Sequence, residues 1–203
     1  MKPTRAQRTE AYEALRQAFA DRTAQINARY LSGTIDEATW LSAMREEVKQ
    51  INVQAYAAGR GGKWSDITFS EWGRLGQKMP FQYRKLTELA GQLPGNFSAA
   101  QLNARLNLYA NAARQQFESA IAAEKGVTDD ILPALPGDGT TQCMINCKCR
   151  WAIRKRHNVH ICTWRLGRAE HCRTCLQRAV QWKNLRIVNG RMVSEVEPIF
   201  VNR

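Results

Sequence analysis

All six cysteines and all three histidines of this 203-residue chain lie between Cys143 and Cys175. Within that stretch, Cys147-Lys148-Cys149 and Cys172-Arg173-Thr174-Cys175 are two closely spaced thiol pairs, each able to turn two sulfurs inward from one tight bend. Together they supply the four soft ligands that tetrahedral Zn2+ takes in a structural site, with Cys143, Cys162 and His171 as alternates for any one of them. The competing chemistry is disulfide bonding. The N-terminal stretch MKPTRAQRTEAYEALRQAFADR is charged throughout and lacks the apolar region of an export signal, so a reducing cytosol is expected and metal is favoured over disulfides. A structural zinc is closed by four protein ligands, whereas a catalytic one keeps an open position beside a general base. Glu170 is the only carboxylate between Asp138 and Glu195, so the zinc reads as structural and the chain as not an enzyme.

His157-Asn158-Val159-His160, flanked by thiol pairs, invites comparison with the His-Asn-His nucleases. Those enzymes spread their three residues over tens of positions so that a hairpin and a helix converge on one metal-bound phosphate; four consecutive residues do not. The basic residues are more informative. Net charge is +12, and between Lys148 and Arg191 twelve Lys or Arg stand against the single Glu170. Such a balance favours a polyanionic partner, and Lys148, Arg150, Arg154, Lys155, Arg156, Arg165 and Arg168 are the residues expected to contact nucleic acid. Trp151, Trp164 and Trp182 interleave with these arginines. Aromatics so placed can stack on unpaired bases, but a small module with little core needs indoles first as filling.

The elements that must position these groups follow from periodicity. Tyr12, Leu15, Phe19, Ile26 and Tyr30 predict an amphipathic helix from about Arg5 to Tyr30. Thr34 and Glu37 read as the capping box of a second, antiparallel helix carrying Trp40, Met44, Val48 and Ile51 as far as Gly59. Gly59-Arg60-Gly61-Gly62-Lys63 lacks the spacing of a phosphate-binding loop and reads as a flexible linker. A short helix is expected from Ser70 to before Pro80, another from Phe81 to Leu93 with Pro94-Gly95 stopping it, and a long one from Ser98 to Gly126 with Leu102, Leu106, Tyr109, Ala113, Phe117 and Ile121 on one stripe. Two prolines and two glycines within Leu132–Gly139 mark a connector and a domain boundary. Beyond it, strands are expected around Trp151–Ile153 and Ile161–Trp164, a helix from Cys172 to Trp182, and a hairpin turning at Asn189-Gly190. The expected class is therefore mainly α: a helical body over 1–126, a connector over 127–142, and a small Cys-rich α+β zinc-knuckle module with a terminal hairpin over 143–203. No run of roughly 18 apolar residues suggests a membrane span.

The order of parts resembles the minor head, or head-morphogenesis, proteins of tailed bacteriophages: a helix ARLNLYANAARQQFESA, the connector LPALPGDGTTQC, then NCKCRW and WRLGRAEHCRTC. Members often pair a helical body with a C-terminal segment containing a C-x2-C and an N-C-x-C element. Here Cys147 and Cys149 match the second and Cys172 and Cys175 the first, in reversed order. The resemblance covers roughly Leu102 to Trp182. It implies a virion component, made in the host cytoplasm and assembled as an oligomer with portal or capsid proteins and in contact with packaged DNA. A zinc-containing DNA-binding regulator is the alternative.

Overall fold

The computed structural model describes residues 2–93, 95, 97–168 and 170–193. Pro94 and the end of the expected C-terminal module, 194–203, lie outside them. The chain is mainly helical and divides into two compact units, 1–120 and 121–203.

The first unit is built from α1 (Arg5–Leu31), α2 (Glu37–Arg60), α3 (Phe69–Ala90), α4 (Ala99–Ala112) and the start of α5 (Arg114–Glu124). Side-chain caps set where they begin. Thr4, Thr68 and Ser98 each form a capping box with Gln7, Glu71 and Gln101, satisfying N–H groups that the first turn leaves free. The second helix starts two residues later than the expected Thr34 cap. Asp36 accepts the Thr39 N–H at 2.8 Å, and hydrogen bonds from Thr39 hold its carboxyl below the usual carboxylate range. An ionised acceptor also suits the positive end of the helix dipole, which a hydroxyl at Thr34 would not exploit.

α1 and α2, α2 and α3, and α1 with α4 and α5 run antiparallel, as their cross-links show. Arg22 pairs with Glu47 at 2.8 Å and the Trp40 indole donates to Asn27 at 2.8 Å between α1 and α2. Asn52–Gln82 and Tyr56–Glu71 bonds join α2 to α3. Tyr12 donates to the Ala110 carbonyl, and Arg5 pairs with the buried Glu118 at 2.7 Å. The buried line of α1 runs through Arg8, Tyr12, Phe19, Thr23 and Asn27, so it includes polar residues that the apolar stripe did not anticipate. Asn27 earns its place by accepting from Trp40 and donating to Asn103 at 2.6 Å.

Three further boundaries differ from expectation, and the first is the helix expected from Ser98 to Gly126, which is interrupted at Ala113 between α4 and α5. Pro80 sits inside one continuous α3 rather than between two helices. Its ring removes a hydrogen bond and crowds the carbonyl four residues back, a cost of about 3 kcal/mol. Buried Leu75 and Met79 before it, and Leu86 and Leu89 after it, hold both halves on one core, and that packing outweighs the cost. The glycine cluster at 59–62 is a helix end, not a flexible linker: α2 runs to Arg60 and Gly61 closes it in the left-handed conformation, φ 68°.

The second unit contains β1 (Arg150–Arg156), β2 (Val159–Arg165), α6 (Arg173–Gln181), β3 (Leu185–Val188) and β4 (Arg191–Val193). The four strands form an antiparallel sheet in chain order. Asn189 and Gly190 take the positive φ values, 48° and 73°, that the β3–β4 turn requires. The segment expected as a connector belongs to this unit's core, and the division falls inside α5, six residues before Gly126. Leu132 and Leu135 are buried, and the Ala134 carbonyl accepts from the Trp151 indole at 2.8 Å.

Gly59 leaves no room for a side chain where α2 meets α5. A Cβ there would stand 2.3 Å from the Phe117 carbonyl oxygen and 2.8 Å from the Ala120 Cβ, both parts of a helix that cannot yield cheaply. Gly59→Ala should cost about 2–3 kcal/mol and lower the midpoint of a thermal melt followed by circular dichroism by roughly 10 °C. Gly73→Ala, on the open side of α3 with nothing within 4 Å, should instead raise stability by about 0.5–1 kcal/mol.

Candidate metal centre

Two local structures bring the thiols together. After Thr141 the chain makes a tight knuckle: the Met144 N–H donates to the Thr141 carbonyl at 2.8 Å and the Asn146 N–H to the Cys143 carbonyl at 2.9 Å, with Met144 at φ 48°. The chain then extends through Cys147, Lys148 and Cys149, so that both cysteines are buried and the lysine is exposed. The second structure is the first turn of α6. Cys172 is its N-cap and Cys175 stands three residues on, one turn that aims both sulfurs to the same side.

The Sγ atoms of Cys143, Cys147 and Cys175 lie within 4.8 Å of one another, a group able to hold a metal ion. Cys175 is 3.7 Å from Cys143 and 3.6 Å from Cys147, and Cys172 is 3.6 Å from Cys143. The Cys149 thiol lies against those of Cys147 and Cys175. All six cysteines are free thiols, and these separations are far from the ~2.05 Å of a disulfide. They are close to the edge of a metal–thiolate tetrahedron, roughly 3.8 Å for a metal–sulfur bond of about 2.3 Å. The donor set therefore fits a soft metal ion.

Without a cation, crowding and burial oppose ionisation. The Cys147 thiol is pushed up by its contact with Cys149 and by desolvation, and Cys175 by desolvation and its thiol neighbours. Burial also raises Cys143. Cys172 is the exception: burial raises it, but backbone N–H groups of Cys175 and Cys143 directed at its sulfur more than offset that, bringing it down to about 7.

Of the expected ligands, Cys147 and Cys175 are in the grouped set, Cys172 reaches it through Cys143, and Cys149 adjoins it. Cys143, expected only as an alternate, is central. Its C-x3-C spacing to Cys147 was the signal, since that spacing falls in the usual range for zinc ligand pairs whereas C-x-C does not. Neither Cys162 nor His171 joins the grouped atoms. Cys162 is fully buried on β2, its thiol raised to about 11 by desolvation alone. Gly167 is a requirement that no ligand pattern announces: a Cβ on it would stand 2.4 Å from the Lys148 carbonyl oxygen, so only glycine lets that loop close against the Cys147–Cys149 segment.

Strand alternation decides what the neighbouring residues can do. One face of the sheet carries Trp151, Cys162, Trp164 and Ile187 into the core. There the rings of Trp151, Trp164 and Trp182 meet at centroid distances of 5.2–5.6 Å, and the Arg178 guanidinium covers Trp182 at 4.9 Å. The tryptophans are filling. Of the residues expected at nucleic acid, Arg150, Arg154, Arg156 and Arg165 fall on the opposite face by register, while Lys155 falls on the tryptophan side and Lys148 and Arg168 lie outside the strands. The dense run Arg154-Lys155-Arg156 is thus split by the strand. His157, at φ 53° in the β1–β2 turn, lines a concavity on the outer face, whereas the Nε2 of His160 is buried. The two histidines of the nuclease-like run do not face a common metal.

Compared with protein-family profiles, curated proteins and solved structures, the chain gives no match. Among the described residues no helix is long and apolar enough to cross a membrane.

Cys143→Ser should reduce bound metal to well below one equivalent by elemental analysis of protein purified without chelator, and Cys162→Ser should leave it at one. Equal metal content in both variants would remove Cys143 from the site.

Proposed function

We propose that this chain is a non-catalytic assembly protein of a tailed-phage head, a minor head protein, in which the helical unit makes protein contacts and a zinc-stapled module presents basic side chains to packaged DNA. The metal is Zn2+, held by Cys143, Cys147, Cys175 and, as fourth ligand, Cys172, with Cys149 as a neighbouring thiol. The observation that carries this reading is the part-buried thiol cluster, which among the described residues groups cysteines and no carboxylate. Such a metal is a fastener and not a reagent, because four thiolates saturate it and leave no position for water. Support for the virion setting comes from the order of parts, a helical body followed by paired cysteine elements in a strongly basic segment.

When bound, the ion supplies positive charge that lets the buried thiols ionise, and its binding free energy is local folding free energy. The thiols of the knuckle and of the α6 turn do the rest: they fix the sheet against the helix and the tryptophans. Chelation should therefore unfold the second unit, seen as a red shift and loss of burial of the tryptophan emission, while most helical circular dichroism persists. Loss of most helical signal would mean one cooperative core.

The setting is tested in particles. After induction of a host carrying the gene, quantitative mass spectrometry of purified tailed particles should find the chain at a few copies per particle. Selection from a random duplex pool should enrich no motif. Absence from particles together with enrichment of a defined motif would establish the regulator instead.

A further inference from the structure

The face of the sheet that points away from the tryptophans has a composition of its own. Arg150, Ala152, Arg154 and Arg156 project there from β1, and the registers Arg150↔Arg165, Arg154↔Ile161, Ile161↔Arg186 and Val188↔Arg191 carry the same side across β2, β3 and β4. Six arginines, contributed by all four strands, therefore share one face. Glu170 is the only acidic residue in 150–193, and it lies outside the strands. The face is concave. Val159, Ile161 and Thr163 of β2 floor an open trough of about 630 Å³, with Arg154 and Arg156 along one side and Arg186 along the other.

Two features point to an anion that repeats along this trough. Arg150 stands directly opposite Arg165, a like-charge cross-strand pair that destabilises a sheet unless an anion bridges it. Arg154, Arg156 and Arg165 make no ion pair among the described residues. Guanidinium groups match phosphate oxygens in bidentate geometry, and a row of them matches a backbone of phosphates better than it matches scattered carboxylates. The strand composition also separates duplex from single strand. Single-stranded binders stack bases on aromatic rings, and every tryptophan of this sheet faces the other way, leaving an aliphatic floor.

We propose that this outer sheet face binds duplex DNA through its phosphates, without sequence preference. The inference rests on the reading of the module as a metal-fastened platform and names the surface and partner that the basic segment serves. It also corrects the contact set: Arg186 and Arg191 belong to it, and Lys155 does not.

The test uses the full-length, metal-loaded protein and a mixed-sequence duplex of about 30 base pairs, followed by fluorescence anisotropy between roughly 50 and 200 mM salt. The slope of log K against log salt should be near −4, at about 0.9 per phosphate neutralised. Arg154→Gln, Arg156→Gln and Arg165→Gln combined should weaken binding at least tenfold at the lowest salt and reduce the slope by two or three. Lys155→Gln, Arg168→Gln and Lys183→Gln combined remove the same charge from residues that do not line the trough, and should change affinity less than threefold. Both triples should retain one metal. Equal losses in the two triples would reduce the effect to net charge and overturn the proposal, as would tighter binding of single strands or of polyglutamate than of duplex, or no binding of the intact protein at the lowest salt. If the first triple does not fold, the unmutated protein decides: duplex should protect Arg154, Arg156 and Arg165 from phenylglyoxal, and unprotected arginines overturn the face. Failure here leaves recovery of the chain in particles untouched, and absence from particles leaves this binding untouched, so the two readings fail separately.

Discussion

The second unit depends on the convergence of sulfurs from two places far apart in sequence, the knuckle at 143–149 and the first turn of α6. Thiols 3.6–3.7 Å apart in a part-buried site are a poor arrangement for a metal-free protein. They are too far apart for disulfides, and desolvation with crowding by other thiols pushes the Cys143, Cys147 and Cys175 thiols up. A tetrahedral cation held there would turn the same crowding into attraction. It would also close a loop of 32 residues between Cys143 and Cys175, which would limit the unfolded chain far more than the folded one.

What that closure positions is a thin sheet with two unlike faces. On the inner side three indoles pack edge-to-face and stacked, and Arg178 covers Trp164 and Trp182 while its guanidinium also donates to the Thr140 hydroxyl at 2.9 Å. Each such aromatic pair contributes about 0.5–1.5 kcal/mol beyond its buried area. The outer face is rich in arginine, and like charges opposite one another weaken strand pairing. A metal fastening on one side would offset the unfavourable charge density on the other.

The helical unit is held by different means. Its core of Phe19, Trp40, Met44, Ile51, Leu86, Leu102 and Leu106 is apolar, but register between helices is set by polar groups: Asn27 between Trp40 and Asn103, Glu118 between Arg5 and Arg114, Glu71 on Tyr56. Asn27, Glu118 and Glu71 each have partners on other helices, and shifting one helix past another would leave several of them unpaired at once.

The amino-acid sequence by itself determined the mainly α class, the paired cysteine elements, the turn at Asn189-Gly190 and the approximate strands, because each is a local signal: hydrophobic period, spacing, or a residue suited to positive φ. It did not determine the continuity of α3 through Pro80, where packing on both sides overrides a local penalty, nor the start of α2 at Asp36, where two adjacent caps compete. Tertiary structure alone decided which thiols meet. Spacing pairs neighbours along the chain, whereas Cys143 reaches Cys175 and Cys172 only once the knuckle is laid against α6. It likewise decided which basic residues share a face. A run such as Arg154-Lys155-Arg156 looks like one patch in sequence, but a strand turns alternate residues to opposite sides, and the partners of Arg154 and Arg156 come instead from Arg165, Arg186 and Arg191 through pairing registers that no local pattern specifies.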